Sequence, residues 1–458
     1  MRADVVVAEI GSTTTMVNAF RLKPKPCLLA QGLAPTTVEE GDVTQGLTRA
    51  LDDMARRAGV PNVEWDEMMA SSSAAGGLRM SVHGLVYDMT VKAAQEAALG
   101  AGAVVRMVTA GEMTPGDVER LRNLRPNIIL LAGGVDHGDR GTVIHNARCI
   151  RDSGINAPVV YAGNVDAREE VGNILREARI PVRFVENVYP RVDELVVEPA
   201  RRVIQEVFQE HIVTAPGMDT IRGMVTGPIL PTPGAVMASA ELIRAVLGDL
   251  VVLDVGGATT DVHSVAAGSP EIQDILDAPE PLSKRTVEGD LGIHKNAWHV
   301  YEMVKDRIER DLGFNPEAEL KSLQVIPGDD RRRKLVTYLA SVAAHTAFER
   351  HVGKIRYLYG PEGRITVAHG KDLTTVRWII GTGGPLTRLP GGKETLEKLI
   401  GNGHGRELYP RTATVLLDNF YVMASTGVLA RKYPDEAREI CLQSLGIDVP
   451  PERPVLAI

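Results

Sequence analysis

The chain has 458 residues, enough for about three domains at roughly 150 residues each. Hydrophobic residues make up 44% and aromatic ones only 4%, so its cores must be aliphatic. A net charge of −8 without a long basic run argues against nucleic acid or an anionic membrane as the main partner.

Three scattered cysteines, Cys27, Cys149 and Cys441, exclude a disulfide framework and suit a reducing, cytoplasmic setting. No CxxC or HExxH pattern offers a metal site. Asp4 and Glu9 in the first short strand do not fit a secretory leader, and no apolar run nears the ~18 residues of a membrane span.

In chain order, residues 3–20 read as a β-hairpin turning at Gly11-Ser12, with another strand near Cys27. Helical spacing covers 44–58, with Leu47, Leu51 and Met54 on one face. Residues 70–80 begin as a small-residue strand and become a loop, and 87–100 read as a helix. From there short apolar runs (104–109, 127–132, 158–162, 182–185) alternate with helix-length segments (115–124, 142–153, 166–178). That alternation predicts βαβ units around a parallel sheet. A helix over 191–209 leads back, 216–234 reads as a connector, and a helix follows over 236–247. Beyond it come a strand at 251–255, a loop through Lys284-Arg285, and helices over 293–311 and 332–351. The last pieces are an apolar run at 376–380, a helix over 420–432 and a Pro-rich tail. The Arg331-Arg332-Arg333-Lys334 cluster reads as a solvated loop or helix start.

Two apolar strands end alike. Val5-Val6-Val7-Ala8-Glu9-Ile10 runs into Gly11-Ser12-Thr13-Thr14, and Val251-Val252-Leu253-Asp254-Val255 into Gly256-Gly257-Ala258-Thr259. Glycine lets backbone N–H groups approach an anion, hydroxyls donate to phosphate oxygens, and a carboxylate can hold a hydrated magnesium ion. A third turn, Gly381-Thr382-Gly383-Gly384, follows another apolar run. P-loop and Rossmann fingerprints are absent. The constellation predicts a nucleotide cleft between two facing hairpins. Glu9 taken alone stays open between a backbone-bonded carboxylate and a metal role.

The three motifs resemble the two phosphate motifs and the adenosine motif of the actin, sugar-kinase and heat-shock-chaperone ATPase superfamily. Further stretches are similar to the glutamate mutase L family over nearly the whole chain. They are Ile129-Leu130-Leu131-Ala132-Gly133-Gly134-Val135-Asp136, Val159-Val160-Tyr161-Ala162-Gly163-Asn164, Pro231-Thr232-Pro233, the segment from Lys284 to Gly292, and Leu417-Asp418-Asn419-Phe420-Tyr421. The resemblance implies an α/β, actin-like ATPase (ribonuclease H-like) fold of two related lobes with an inserted α/β module. The expected parts are a first lobe over 1–100, the module with its connecting helix over 101–215, a second lobe over 216–411 and a C-terminal helix over 412–458.

The resemblance also implies an ATP-dependent reactivating factor for adenosylcobalamin-dependent mutases of the glutamate mutase or ornithine aminomutase type. ATP and magnesium are its expected cofactors, mutase subunits its partners, and a homodimer is allowed. Carried over by motif, Gly11, Ser12, Thr13 and Thr14 bind phosphates from one side, and Gly256, Gly257, Ala258 and Thr259 from the other. Asp254 orients hydrated magnesium or the attacking water, with Glu9 as its companion. Gly381, Gly383 and Gly384 pack against adenosine, and Glu288 or Lys284 reaches the ribose or base. Glu9 departs from the superfamily, which has Asp there. The inserted module is the expected partner surface. A small-molecule kinase on the same scaffold is the alternative. An iron–sulfur activator is disfavoured by the scattered cysteines, and a hydantoinase-type hydrolase is more distant still.

Overall fold

The structure, a computed structural model, describes residues 1–74, 78–211, 217–360, 363–401 and 405–448. Apolar runs buried on both faces form the two central strands, β1 (Arg2–Ile10) and β11 (Leu250–Val255). Each folds back on an antiparallel neighbour, β2 (Thr14–Arg21) or β12 (Thr260–Val265). Outside these lie β3 (Cys27–Pro35) and β13 (Ser283–Glu288), again antiparallel. On the other side β1 pairs in parallel with β4 (Glu64–Ser72), and β4 with β10 (Ile229–Pro231). Likewise β11 pairs in parallel with β16 (Trp378–Thr382), and β16 with β17 (Thr414–Leu417). The two five-stranded sheets therefore share one topology, β3-β2-β1-β4-β10 and β13-β12-β11-β16-β17.

A third sheet is inserted between β4 and β10. Its order is β6-β5-β7-β8-β9, all parallel, with β5 at Leu78–Gly84, β6 at Ala103–Ala110, β7 at Ile128–Leu131, β8 at Val159–Tyr161 and β9 at Val182–Phe184. Ile128 and Leu130 face the core shared with the first sheet; Ile129 and Leu131 face the helices Gly141–Asp152 and Arg168–Glu177. Burial on both faces is why these strands read as continuous apolar runs.

Several elements differ from expectation. Strand β5 belongs to the inserted sheet, although it precedes residue 101. Strand β10 completes the first sheet from within the 216–234 connector, which also holds a short helix, Met218–Met224. The expected 191–209 helix starts at Glu198, and the 293–311 helix is split into Ala297–Glu302 and Lys305–Leu312. Lys284 and Arg285 lie on a strand rather than a loop, and a hairpin of β14 (Lys354–Gly360) and β15 (Gly363–His369) was not foreseen. The final helix is Met423–Leu429, followed by Pro434–Ser444. The tail beyond residue 448 lies outside the described residues. The basic cluster opens the helix Asp330–His351, where Asp329 caps the Arg332 N–H at 3.0 Å. No helix among the described residues is long and apolar enough to cross a membrane.

Candidate nucleotide cleft

The two hairpins turn by the same geometry. The Gly11 N–H donates to the Thr14 carbonyl, and the Gly256 N–H to the Thr259 carbonyl, both at 2.9 Å. Glu9 is the penultimate residue of β1 and pairs with Met16; Asp254 is penultimate in β11 and pairs with Asp261. Each lobe thus delivers one carboxylate at the same point before its turn. The turns meet across the cleft: a Cβ on Gly257 would sit 2.5 Å from Thr13 Oγ1, so only glycine permits this approach.

Together they wall a cleft of about 780 Å³. Gly11, Ser12, Thr13 and Thr14 line one side, and Gly256, Gly257, Ala258 and Thr259 the other, with Glu9 and Asp254 between them. Ser12 Oγ donates to the Ser73 carbonyl at 2.9 Å, and Thr259 Oγ1 to Asp261 Oδ2 at 2.8 Å.

The third turn is placed behind the site. Gly381 packs among leucines, where a Cβ would come within 2.6 Å of Leu396 and 2.9 Å of Leu417. Gly383 has φ +89°, and a Cβ there would meet the Val255 carbonyl at 2.2 Å and Asp254 Oδ1 at 2.8 Å. Gly384 opens a short helix with open space at its Cα. None of the three lines the cleft; Gly383 instead lets the turn buttress Asp254. Glu288 lines the cleft and is bound by Arg350. Lys284 faces a separate cavity and is held by Glu280 at 2.6 Å and Glu96 at 3.2 Å.

The carboxyl groups around the cleft are electrostatically perturbed. Glu9 is buried and its Oε2 has no hydrogen-bond partner. Burial, then Asp254 and Asp418, push its carboxyl up to about 8. Burial, then Asp261 and Asp418, push Asp254 up to about 7, against a smaller pull from Arg285. Asp418, fully buried, accepts from Thr382 Oγ1 and the Val422 and Met423 N–H groups at 2.9 Å, and from Ser444 Oγ. The Tyr421 phenol faces the same group, and burial, then Glu9, Asp254 and Asp418, raise it well above its usual range.

Two facing carboxylates without a cation are expensive when ionised in a desolvated site. The orphaned Glu9 oxygen and its neighbour Asp254 fit a hydrated divalent cation, one ligand side from each lobe. No group of three or more metal-ligating side chains is found among the described residues, so water and an anionic ligand would have to complete the shell.

Sequence reasoning missed Asp418, Tyr421 and Arg285 as members of this site. Asp418 and Tyr421 stood in a family-like stretch with no role attached. Arg285 stood in an apparent loop.

Two lobes of one topology, each presenting a carboxylate and a glycine turn to a shared cleft, define the actin-like ATPase fold. The MutL protein family model matches residues 5–445. Protein MutL of Clostridium tetanomorphum is 36% identical over 452 residues, covering 95% of this chain and 97% of that relative. The chain belongs to this family, the glutamate mutase L family. Among solved structures, it is similar to a diol dehydratase-reactivating factor in nucleotide-free form (12% identity, TM-score 0.34, covering 93% of this chain and 99% of that one). It is also similar to a nucleotide-free acetone carboxylase (12% identity, TM-score 0.38, covering 93% and 70%).

Proposed function

We propose that the protein is an ATP-dependent reactivating factor that opens an adenosylcobalamin-dependent mutase so that damaged cobalamin can leave. One observation carries the nucleotide part: the buried, unpartnered Oε2 of Glu9 beside Asp254, one carboxylate from each lobe, in a cleft walled by two equivalent glycine turns. Membership of the glutamate mutase L family supports the choice of partner.

In this reading the Gly11–Thr14 turn grips phosphates from the first lobe and the Gly256–Thr259 turn from the second. Asp254 would orient the attacking water, and Glu9 would help to hold the hydrated cation. Magnesium, when bound, neutralises these carboxylates and the phosphates together. The third turn fixes Asp254 from behind. Only a γ-phosphate spans both turns, so ATP favours a closed lobe angle that the diphosphate does not. Work on the mutase then requires that it bind the two angles with different affinity.

The inserted module is the proposed partner surface. Deleting residues 101–190 is a poor test, because it would leave the buried Met80 and Val82 of β5 uncovered. The direct test is magnesium-dependent ATP hydrolysis by wild type and Asp254→Ala, followed by rescue of a hydroxocobalamin-blocked mutase. Hydrolysis at least about 100-fold slower in the variant is expected. No ATP binding by either protein would end this reading.

A further inference from the structure

Strand β13 is where the second lobe meets the inserted module, and its residues are spoken for one after another. The Ser283 carbonyl accepts from Arg201 at 2.9 Å, and Lys284 reaches Glu96 on the helix Lys92–Gly100. Arg285 goes furthest. It is 1% exposed, the largest fully buried side chain of the molecule's described residues. Its Nη1 donates to the carbonyls of Leu99 and Ala103, both at 3.0 Å. Its Nε and Nη2 hold Asp261 Oδ1 at 2.8 and 2.6 Å. The other oxygen of Asp261 accepts from Thr259 Oγ1. An unbroken chain of hydrogen bonds therefore runs from the second phosphate turn, through Asp261 and Arg285, to the last turn of that helix and the first residue of β6.

We propose that Arg285 is a positioning residue that makes the inserted module sense occupancy of the second phosphate turn. The inference rests on the nucleotide reading above. Thr259 has one hydroxyl proton. Given to a phosphate oxygen, it leaves Asp261 with Arg285 as its remaining side-chain donor among the described residues. The ion pair tightens, and the guanidinium, rigid and planar, shifts against the two carbonyls it also holds. A helix end and a strand start move as one because a single side chain binds both. A lysine cannot reproduce this, having no fork to share between a carboxylate and two carbonyls.

The test is amide hydrogen exchange over residues 92–110 in the full chain. Wild type, Arg285→Lys and Thr259→Val are compared with magnesium and either ADP or a slowly hydrolysed ATP analogue. Each nucleotide is held at saturation, so occupancy is equal. In wild type the triphosphate, against ADP, slows exchange in this segment by about threefold or more. In Arg285→Lys the difference disappears while the triphosphate still protects the Gly11–Thr14 turn. Thr259→Val, which leaves the junction's own bonds in place, loses it too, and Thr259→Ser regains it. A wild-type response preserved in Arg285→Lys, or no response at 92–110 in a wild type that binds the analogue, overturns the inference. Absence of nucleotide binding by wild type removes the reading beneath it and the inference with it.

Discussion

Glu9 carries a carboxylate to a place where one oxygen meets neither water nor a donor. Below about pH 4.5 that carboxyl is protonated in folded and unfolded chains alike. As pH rises, the unfolded chain sheds its proton first, while the folded one holds it until about 8. Ligand-free stability therefore falls across this window, and the contribution is fully lost above it. Glu9→Gln should be more stable than wild type by roughly 1–4 kcal/mol at about pH 9, and no different at about pH 4. Thermal unfolding across pH measures this; a constant difference at all pH values would contradict it. If the cleft binds as proposed, magnesium with ATP should reverse the order, because a cation favours the ionised form. Wild type should gain melting temperature from the pair and Glu9→Gln should gain little. Nucleotide affinity in wild type should rise with pH through 7–8, where Asp254 and Glu9 ionise.

At the scale of elements, Asp418 ties the end of β17 to the C-terminal helices. Its carboxylate serves Thr382, Val422, Met423 and Ser444 at once. Asp418→Ala would strand these donors in a buried place and should cost about 3–5 kcal/mol in urea unfolding, with Asp418→Asn costing less. A loss under about 1 kcal/mol would show that water replaces the carboxylate. None of this was legible in the sequence, because Thr382 and Ser444 come from distant stretches and the local Val422 and Met423 donors are backbone groups. The β1 and β11 turns were legible, since a strand buried on both faces writes itself as an apolar run and a glycine marks its end. Strand β13 was not: Ser-Lys-Arg-Thr-Val-Glu looks like solvated loop, and its cations are buried only because Glu96, Glu280 and Asp261 arrive from elsewhere. The hairpin of β14 and β15 hid for a related reason. Its outer residues Leu358, Tyr359 and Ile365 are exposed, and only its inner end, at Ile355 and Ala368, packs on the core, so no continuous apolar face announces it. The break between the helices at Ala297–Glu302 and Lys305–Leu312 carries neither glycine nor proline, so periodicity ran through it.

For the molecule as a whole, the module's mounting is ionic as well as apolar. Glu280, nearly inaccessible, lies between Lys92 at 2.7 Å and Lys284 at 2.6 Å, and Lys284 also meets Glu96. Burial raises the Glu96 carboxyl, with Lys284 the main opposing pull. Lys284→Met should leave Lys92 to neutralise Glu280 alone and loosen the junction. Helix Lys92–Gly100 should then exchange its amides several-fold faster, while β11 and β16 keep their protection. Uniform loss across both lobes would mean that the pair supports the whole fold rather than the mounting.

The first sheet is also finished last. Val5, Val7, Phe20 and Met69 share one core with Met423, Leu429, Ile440 and Cys441. On the ribosome, at roughly 5–20 residues per second, tens of seconds separate the emergence of these two sets. The helix Thr232–Leu247 covers part of the first set's surface from mid-chain, and the rest stays bare until the helices from Met423 onward arrive. A chain cut before Met423 would keep all three glycine turns and leave the rest of that surface permanently uncovered, a substrate for aggregation rather than for folding.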